Sequence, residues 1–348
     1  MHAISPLSRA NRHAFFRMTP PMPLSPVPAS DASLRKAAEH LRAGRLVAFP
    51  TETVYGLGAD ASNGEAVARI FAAKGRPTFN PLIVNVPDVD AVNAYAHLPP
   101  LSERLAAAFW PGGLTLVLDR KSDCQLSELV SAGLPSVAIR CPSHRVARAL
   151  QRAAGCPIAA PSANRSGHVS ATTAAHVADD IDDPSLAMIL DDGPSPHGIE
   201  STIVDARGDV VQVLRPGAVT IDAMMEVVGG AARVELSKPQ ESGSAARSSP
   251  GQLESHYAPA KSVFLNVSAP APGQALLAFG TPPAGHDGPT VNLSPRGDLV
   301  EAAANLFTGL RALDRSRATS IAVMAIPESG LGVAINDRLR RAAAPRDR

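Results

Sequence analysis

The sequence predicts an α/β protein of two domains, and three observations lead there. Apolar runs of strand length alternate with amphipathic helical patterns along most of the 348 residues, as in a sheet covered by helices. The length supplies two cores at roughly 100–200 residues each. Composition shifts after Val228, where Gly229 to Ser249 is rich in Gly, Ser, Ala and charge, and a second α/β pattern begins near Val263.

Residues 1–30 hold Arg9, Arg12, Arg17 and six prolines but no acidic residue. This reads as a disordered N-terminal extension, or as an upstream start with Met18 or Met22 the true one. A transit peptide is the competing reading, but Thr19-Pro20-Pro21-Met22-Pro23 breaks an amphipathic helix. From Ser30, Leu34, Ala37, Ala38 and Leu41 recur at helical spacing, with Gly44 placed to end the helix. Leu46-Val47-Ala48-Phe49 is a buried strand stopped by Pro50. A helix from Glu65 to Ala73, a strand from Leu82 to Val86, a helix ending near Trp110 and a strand from Leu114 to Leu118 follow. The alternation continues through Val137-Ala138-Ile139, a helix opened by Ser143, Ile158-Ala159-Ala160, a helix near Ala174, and strands around Ile189, Ile203 and Val211.

In the second unit, strands run from Val263 to Val267, Ala275 to Phe279 and Ser320 to Ala325. One helix carries Leu299, Ala303, Leu306, Leu310 and Leu313, and a last one starts at Val333. The pattern is that of a small doubly wound, Rossmann-like domain. The expected organisation is therefore an extension at 1–30, a catalytic domain at 31–228, a linker at 229–260 and a C-terminal domain at 261–348.

Charge excludes some functions. The chain has 33 Lys+Arg against 32 Asp+Glu, so it lacks the cation excess that drives binding to phosphate backbones. Residues 31–225 carry 17 Lys+Arg and 21 Asp+Glu, a net of −4, which weighs against a double-stranded RNA-binding module. Only 4% of residues are aromatic, too few for a base-stacking platform. No apolar run approaches the roughly 20 residues that cross a bilayer, so no membrane partner is expected. Cys124, Cys141 and Cys156 form no C-x-x-C pair and read as reduced thiols of a cytoplasmic protein.

The familiar nucleotide and hydrolase signatures are missing. There is no G-x-x-x-x-G-K-[ST], Gly56-Leu57-Gly58 lacks the third glycine of a dinucleotide loop, and neither H-E-x-x-H nor G-x-S-x-G occurs. Polar turns instead follow the apolar strands, where open α/β sheets bind ligands. Pro50 to Gly58 offers two hydroxyls, a carboxylate and two glycines. Lys74-Gly75-Arg76-Pro77 closes a helix, where cations also suit the macrodipole. Arg140 ends a strand, placed either to snorkel to the surface or to clamp a carboxylate or phosphate. Ala160 to Gly167, Gly198 to Thr202 and Leu214 to Gly217 add hydroxyls and Arg215. Asp191-Asp192 precedes Gly193-Pro194 and reads as a solvated turn rather than a metal pair.

In order, P-T-E-T-V-Y-G-L-G, K-G-R-P, N-P-L, S-x-x-x-R, A-P-S-A-N-x-S-G, S-T-I-V and R-P-G resemble the threonylcarbamoyl-AMP synthases, over about residues 31–225. Ser249-Pro250-Gly251, His256-Tyr257-Ala258-Pro259 and the ending Gly330 to Leu339 resemble the linker and C-terminus of that family's two-domain form. The resemblance implies a YrdC-like twisted mixed sheet flanked by helices, plus a small Rossmann-like C-terminal domain. It implies formation of L-threonylcarbamoyladenylate and pyrophosphate from L-threonine, bicarbonate or CO2, and ATP, with Mg²⁺ carried by the triphosphate. The product would feed threonylcarbamoyl-transfer machinery acting on adenosine 37 of tRNAs that read codons beginning with A. A carbamoyl-transfer domain of the hydrogenase-maturation type is the competing resemblance, but its acylphosphatase and zinc-finger segments have no counterpart here.

By motif position, the catalytic signature falls on Lys74, Arg76, Ser162 and Asn164. ATP contacts fall on Arg76, Asn80, Ser136, Ser162, Ser170, Arg215 and Tyr257; Tyr257, in a linker that reaches back over ATP, reads as a lid, the alternative being an anchor for the second domain. Threonine contacts fall on Thr53, Asn85, Arg140, Ala160 and Ser201. Asn85 stands where the family commonly has His, and an amide can hydrogen-bond but cannot act as a base near neutral pH.

Overall fold

The computed structural model describes residues 24–237 and 256–345. In chain order the first part holds β1 (Val27–Pro28), α1 (Asp31–Arg42), β2 (Leu46–Phe49), β3 (Gly56–Asp60), α2 (Gly64–Lys74), β4 (Ile83–Asn85), α3 (Pro100–Phe109), β5 (Leu114–Asp119) and α4 (Glu128–Ser131). It continues with β6 (Ser136–Arg140), α5 (Arg145–Ala154), β7 (Ile158–Ala159), α6 (Ala174–Asp180), β8 (Leu186–Asp191), β9 (Thr202–Asp205), β10 (Val210–Arg215), α7 (Ile221–Val228) and β11 (Arg233–Leu236). The second part holds β12 (Ser262–Phe264), β13 (Gln274–Ala278), β14 (Thr290–Asn292), α8 (Leu299–Asp314), β15 (Ser320–Val323) and α9 (Leu331–Ala343).

The strands of the first part form one sheet in the order β1-β8-β2-β3-β7-β4-β6-β5-β9-β10-β11. It is mixed: β4 and β6 run parallel, whereas β2–β3, β4–β7 and β5–β6 are antiparallel. The largest core packs Leu57, Ile70, Leu116 and Ile139 together, and a second lies where α1 and α5 cover Val47 and Phe49 with Leu41 and Leu150. Side chains alternate along a strand. In β6, Val137 and Ile139 enter the large core while Ala138 packs with Ile83 on the other face. Ser136 and Arg140 therefore share that other face, about 13 Å apart along the strand.

Three stretches differ from the sequence reading. Most of the expected extension lies outside the described residues, but Val27–Pro28 pairs with β8, and Ser30 caps α1 in a reciprocal box with Ser33. A two-residue edge strand carries no periodicity, which hides it in a proline-rich stretch. Within the linker expected at 229–260, Arg233–Leu236 pairs with β10; the stretch 238–255 lies outside the described residues. Gly56–Asp60 is a strand rather than part of a turn. A Cβ on Gly58 would lie 2.7 Å from the Phe49 ring, so glycine here lets β2 bury a phenylalanine against β3.

The second sheet is parallel, in the order β12-β15-β13-β14. The expectation of a doubly wound unit is corrected in one respect. Among the described residues both helices pack on a single sheet face, built from Val263, Ala275, Leu277, Ile321 and Val323. That core also takes in Val54, Val169 and Ile199 of the first part, so the two domains share apolar packing beside the polar turns. Gly198 has φ +60°, and a Cβ there would lie 2.5 Å from the Ala304 Cα of α8. Gly198→Ala is therefore expected to cost about 2–4 kcal/mol through overlap and backbone strain, read as a lower denaturation midpoint.

Candidate active site

The polar turns come from both ends of neighbouring strands and from the end of α2: Ala160 follows β7 level with the start of β4, whereas Arg140 and Arg215 end β6 and β10 level with the start of β9. Thr51 organises the first: its Oγ1 lies 2.9 Å from Thr53 Oγ1 and donates to the Val54 carbonyl at 2.6 Å. Helix α2 ends with Gly75 at φ +59°, which turns Arg76 back toward the sheet. Arg76 donates to the carbonyls of Asn80 at 3.2 Å and Pro81 at 2.9 Å. Arg215 closes the opposite side, donating to the Ser201 carbonyl at 2.9 Å and to its hydroxyl at 3.2 Å, while Thr115 meets the same hydroxyl at 2.8 Å.

Between these turns lies a cavity of about 50 Å³ lined by Arg76, Arg140, Arg215, Thr53, Ala160, Ser162, Glu200, Ser201, His256 and Tyr257 among others. Burial pushes the Arg76 guanidinium down to about 10 and lowers that of Arg215; both remain cations at neutral pH. Among the described residues neither has a carboxylate partner. Arg140 does: its Nη2 lies 2.6 Å from Glu52 Oε1, and both side chains are buried. Burial alone would raise the Glu52 pKa, yet the charge and hydrogen bond of Arg140 outweigh it and hold the carboxyl below its usual value.

Of the residues expected from sequence, Thr53, Arg76, Arg140, Ala160, Ser162, Ser201, Arg215 and Tyr257 line the cavity. Lys74, Asn80, Asn85, Ser136, Asn164 and Ser170 do not. Lys74 donates to the carbonyls of Ser162, at 2.6 Å, and Asn164, so it ties down the Ser162 turn from behind. Burial and the Arg76 charge push its ammonium well below the usual lysine range; an amine in either protonation state has donors for both carbonyls. The Asn164 amide caps the carbonyls of Arg165 and His168. Ser170 bonds Glu200. Asn85 sits opposite Arg140 in the β4–β6 pairing.

Sequence reasoning overlooked Glu52, Glu200, His256 and Arg338. Glu52 and Glu200 stand inside motifs that were legible, but their arginine partners are 88 and 138 positions away, and nothing local announces such pairs.

Among the described buried side-chain atoms without a protein hydrogen-bond partner, His256 Nδ1 belongs to a lining residue, and atoms of Asn80, Asn85, Asn164 and Arg338 belong to residues next to, paired with or in contact with lining residues. Such groups are rare where nothing else is to be bound. Tyr257 also adopts φ +61°, a strained backbone for a bulky residue. His256 is pushed well below the ordinary histidine range by burial and by Arg76, Lys74 and Arg215, so its ring is neutral in place. A displaced ring regains a pKa near 6.5 and takes up a proton below it, so the docked segment loses stability as pH falls through that value. Hydrogen exchange at residues 256–258, corrected for intrinsic rate, is expected to be faster at pH 5.5 than at pH 8.

Two buried guanidiniums without ion-pair partners among the described residues, lining a pocket on a mixed sheet, mark an α/β protein whose site suits phosphate or carboxylate groups. Residues 39–217 match the Sua5/YciO/YrdC family, described as telomere recombination, and residues 219–344 match a family described as the threonylcarbamoyl-AMP synthase C-terminal domain. The chain belongs to the threonylcarbamoyl-AMP synthase family, in its two-domain form. It is 39% identical to the threonylcarbamoyl-AMP synthase of Bacillus subtilis, over 91% of this chain and 94% of that one. Identity to the Pyrococcus abyssi enzyme of the same name is 38%, over 90% and 94%. The crystal structure of P. abyssi Sua5 complexed with L-threonine superposes with a TM-score of 0.81 at 36% identity, covering 90% of this chain and 95% of that one.

Proposed function

We propose that this chain is a nucleotidyltransferase that makes L-threonylcarbamoyladenylate and pyrophosphate from L-threonine, bicarbonate or CO2, and ATP. The observation that carries the reading is the cavity itself, where cations and a histidine nitrogen without a protein partner line a space closed by Tyr257. The threonine amine becomes a carbamate, and a carbamate oxygen attacks the α-phosphorus as pyrophosphate leaves in line. Three anionic groups meet, so cations must offset their repulsion and the charge that grows on the leaving group.

Arg140, with Thr53, Ala160 and Ser201 around it, suits the threonine carboxylate and hydroxyl. Glu52 holds its guanidinium in a fixed orientation. Arg76, Arg215 and the Ser162 turn suit the phosphates. Lys74 keeps that turn in place, while Asn80 and Ser136, outside the lining, would meet a longer ligand. Ser170 acts through Glu200 rather than on the nucleotide. About 50 Å³ is far below the several hundred Å³ of a typical ligand pocket, so ATP entry requires His256 and Tyr257 to withdraw. On return they cover the nucleotide and exclude water from a hydrolysable mixed anhydride.

No cluster of three or more His, Cys, Asp or Glu is placed to hold a metal among the described residues. Mg²⁺ would arrive on the triphosphate, as such sites need few carboxylates, and Glu200 is the carboxylate at the cavity wall. The adenylate would be consumed by a threonylcarbamoyl transferase acting on adenosine 37 of tRNA in the cytoplasm. No helix among the described residues is long and apolar enough to cross a membrane.

Asn85 replaces the family's usual His, so the reading requires no base there. Asn85→His is expected to change kcat less than about tenfold, a positioning effect rather than that of a new base; a gain of several orders of magnitude would contradict this. To test the reading itself, the protein is incubated with ATP, Mg²⁺, threonine and ¹³C-bicarbonate. A threonylcarbamoyladenylate one mass unit heavier is expected, and an unlabelled adenylate or none would overturn it.

A further inference from the structure

The second domain reaches the cavity through one buried arginine. Arg338 of α9 is 0% exposed. Its Nε donates to Glu200 Oε2 at 2.7 Å, its Nη1 donates to Asp337 Oδ2 at 2.6 Å, and its guanidinium lies 5.0 Å from the centre of the Tyr257 ring. Glu200 lines the cavity and takes the Ser170 hydroxyl on its other oxygen. Tyr257 is stacked on its far side by Phe307 of α8 at 5.7 Å. Arg338 thus touches two residues of the cavity lining, Glu200 and Tyr257, from a helix that begins more than 110 positions beyond Arg215.

Domain docking does not need this ion pair. Val54, Val169 and Ile199 already share an apolar core with α8 and α9, and burying an ion pair carries a desolvation penalty that apolar packing avoids. The pair does something packing cannot. It offsets a carboxylate that would otherwise face the triphosphate, and it holds an aromatic ring by its face. Neither effect reaches Arg140, which is oriented separately by Glu52.

We propose that Arg338 is a positioning residue for the ATP site: it fixes Glu200 and the Tyr257 ring at the cavity, so that docking of the second domain sets the geometry in which Arg76 and Arg215 meet the triphosphate. This rests on the ATP-dependent reading above and deepens it.

The test uses the full chain as wild type, Arg338→Met, Glu200→Gln, the double variant, and Arg340→Ala as a surface control. Arg340 pairs with Glu328 at an exposed site. Melting temperature and the KM values for ATP and threonine are read for each by pyrophosphate release. Arg338→Met is expected to melt lower, because it strands a buried carboxylate, and the double variant to regain most of that loss. The KM for ATP is expected to stay at least about tenfold raised in the double variant, the order of effect when a site is displaced by a fraction of an ångström, with threonine KM within about twofold. A double variant that recovers wild-type ATP KM along with its stability would show that Arg338 merely compensates a buried charge, overturning the proposal. Equal rises in both KM values overturn it as well. Wild-type protein without threonine-dependent release overturns the functional reading and the positioning role together.

Discussion

Arg140→Ala is expected to lose threonine saturation and much of the protein's stability at once. The guanidinium is the only buried partner of the Glu52 carboxylate among the described ion pairs, at 2.6 Å, with both side chains under a tenth exposed. Removing one partner of such a pair costs about 3–5 kcal/mol, because the other charge stays in the interior unpaired. Burial raises the Glu52 pKa, and Arg140, by charge and hydrogen bond, is the chief influence holding it below the usual value, with backbone hydrogen bonds adding less. Without that charge the burial penalty outweighs the backbone bonds and the pKa is expected to rise. In the wild type the depressed value contributes stability above about pH 4.5, which is lost as pH falls through the lower folded value; in Arg140→Ala this acid limb disappears. Adding Glu52→Gln to Arg140→Ala is expected to restore most of the denaturation midpoint and none of the threonine saturation. Urea titration at pH 7 and pH 4, with threonine KM by pyrophosphate release, separates the two effects. Recovery of threonine binding in the double variant would refute the assignment of Arg140 to the substrate carboxylate.

Arg76→Ala is expected to lower kcat/KM for ATP by about 10²–10³-fold, the usual cost of removing one preorganised donor at developing charge. Stability is expected to change less than in Arg140→Ala, because Arg76 has no carboxylate to strand, only the carbonyls of Asn80 and Pro81. Arg76→Lys is expected to recover little of the rate, since an ammonium cannot reach two carbonyls and a phosphate from one planar fork. Steady-state kinetics with ATP varied at saturating threonine decides this. A variant with normal kcat/KM would place the phosphates elsewhere.

Much of this arrangement was legible in the sequence because it is local. Leu46 to Phe49 reads as a buried strand since every position is apolar, and the turn after it reads as a site since its polar residues have no amphipathic period to belong to. Of the expected site residues that line the cavity, Thr53, Arg140, Ala160, Ser162 and Arg215 stand in turns that directly follow or end strands. What escaped is long-range or depends on direction. Lys74 and Arg76 are two positions apart across a left-handed Gly75, and only the folded turn reveals that one faces the cavity while the other faces the back of the Ser162 loop. Ser170 and Glu200 sit in readable motifs, yet the bond from Glu200 to Arg338, a partner in another domain, is invisible there. Val27–Pro28 and Arg233–Leu236 were hidden because edge strands gain their order from the neighbour they pair with, not from their own pattern.

Near-balanced charge argues against a protein acting by bulk electrostatics, and a few placed cations are the alternative. Arg76 and Arg215 are buried and have no ion-pair partner among the described residues, so each acts more strongly than a surface charge would. The central claim is that this pocket joins threonine, a one-carbon acid and ATP in a single step. The most direct measurement is pyrophosphate release with ATP and Mg²⁺ as threonine and bicarbonate are each omitted in turn. The account predicts release that falls to background without threonine and depends on the carbon source, with a mass matching threonylcarbamoyladenylate appearing in step. Release that continues undiminished without threonine, or without any adenylate product, would contradict it.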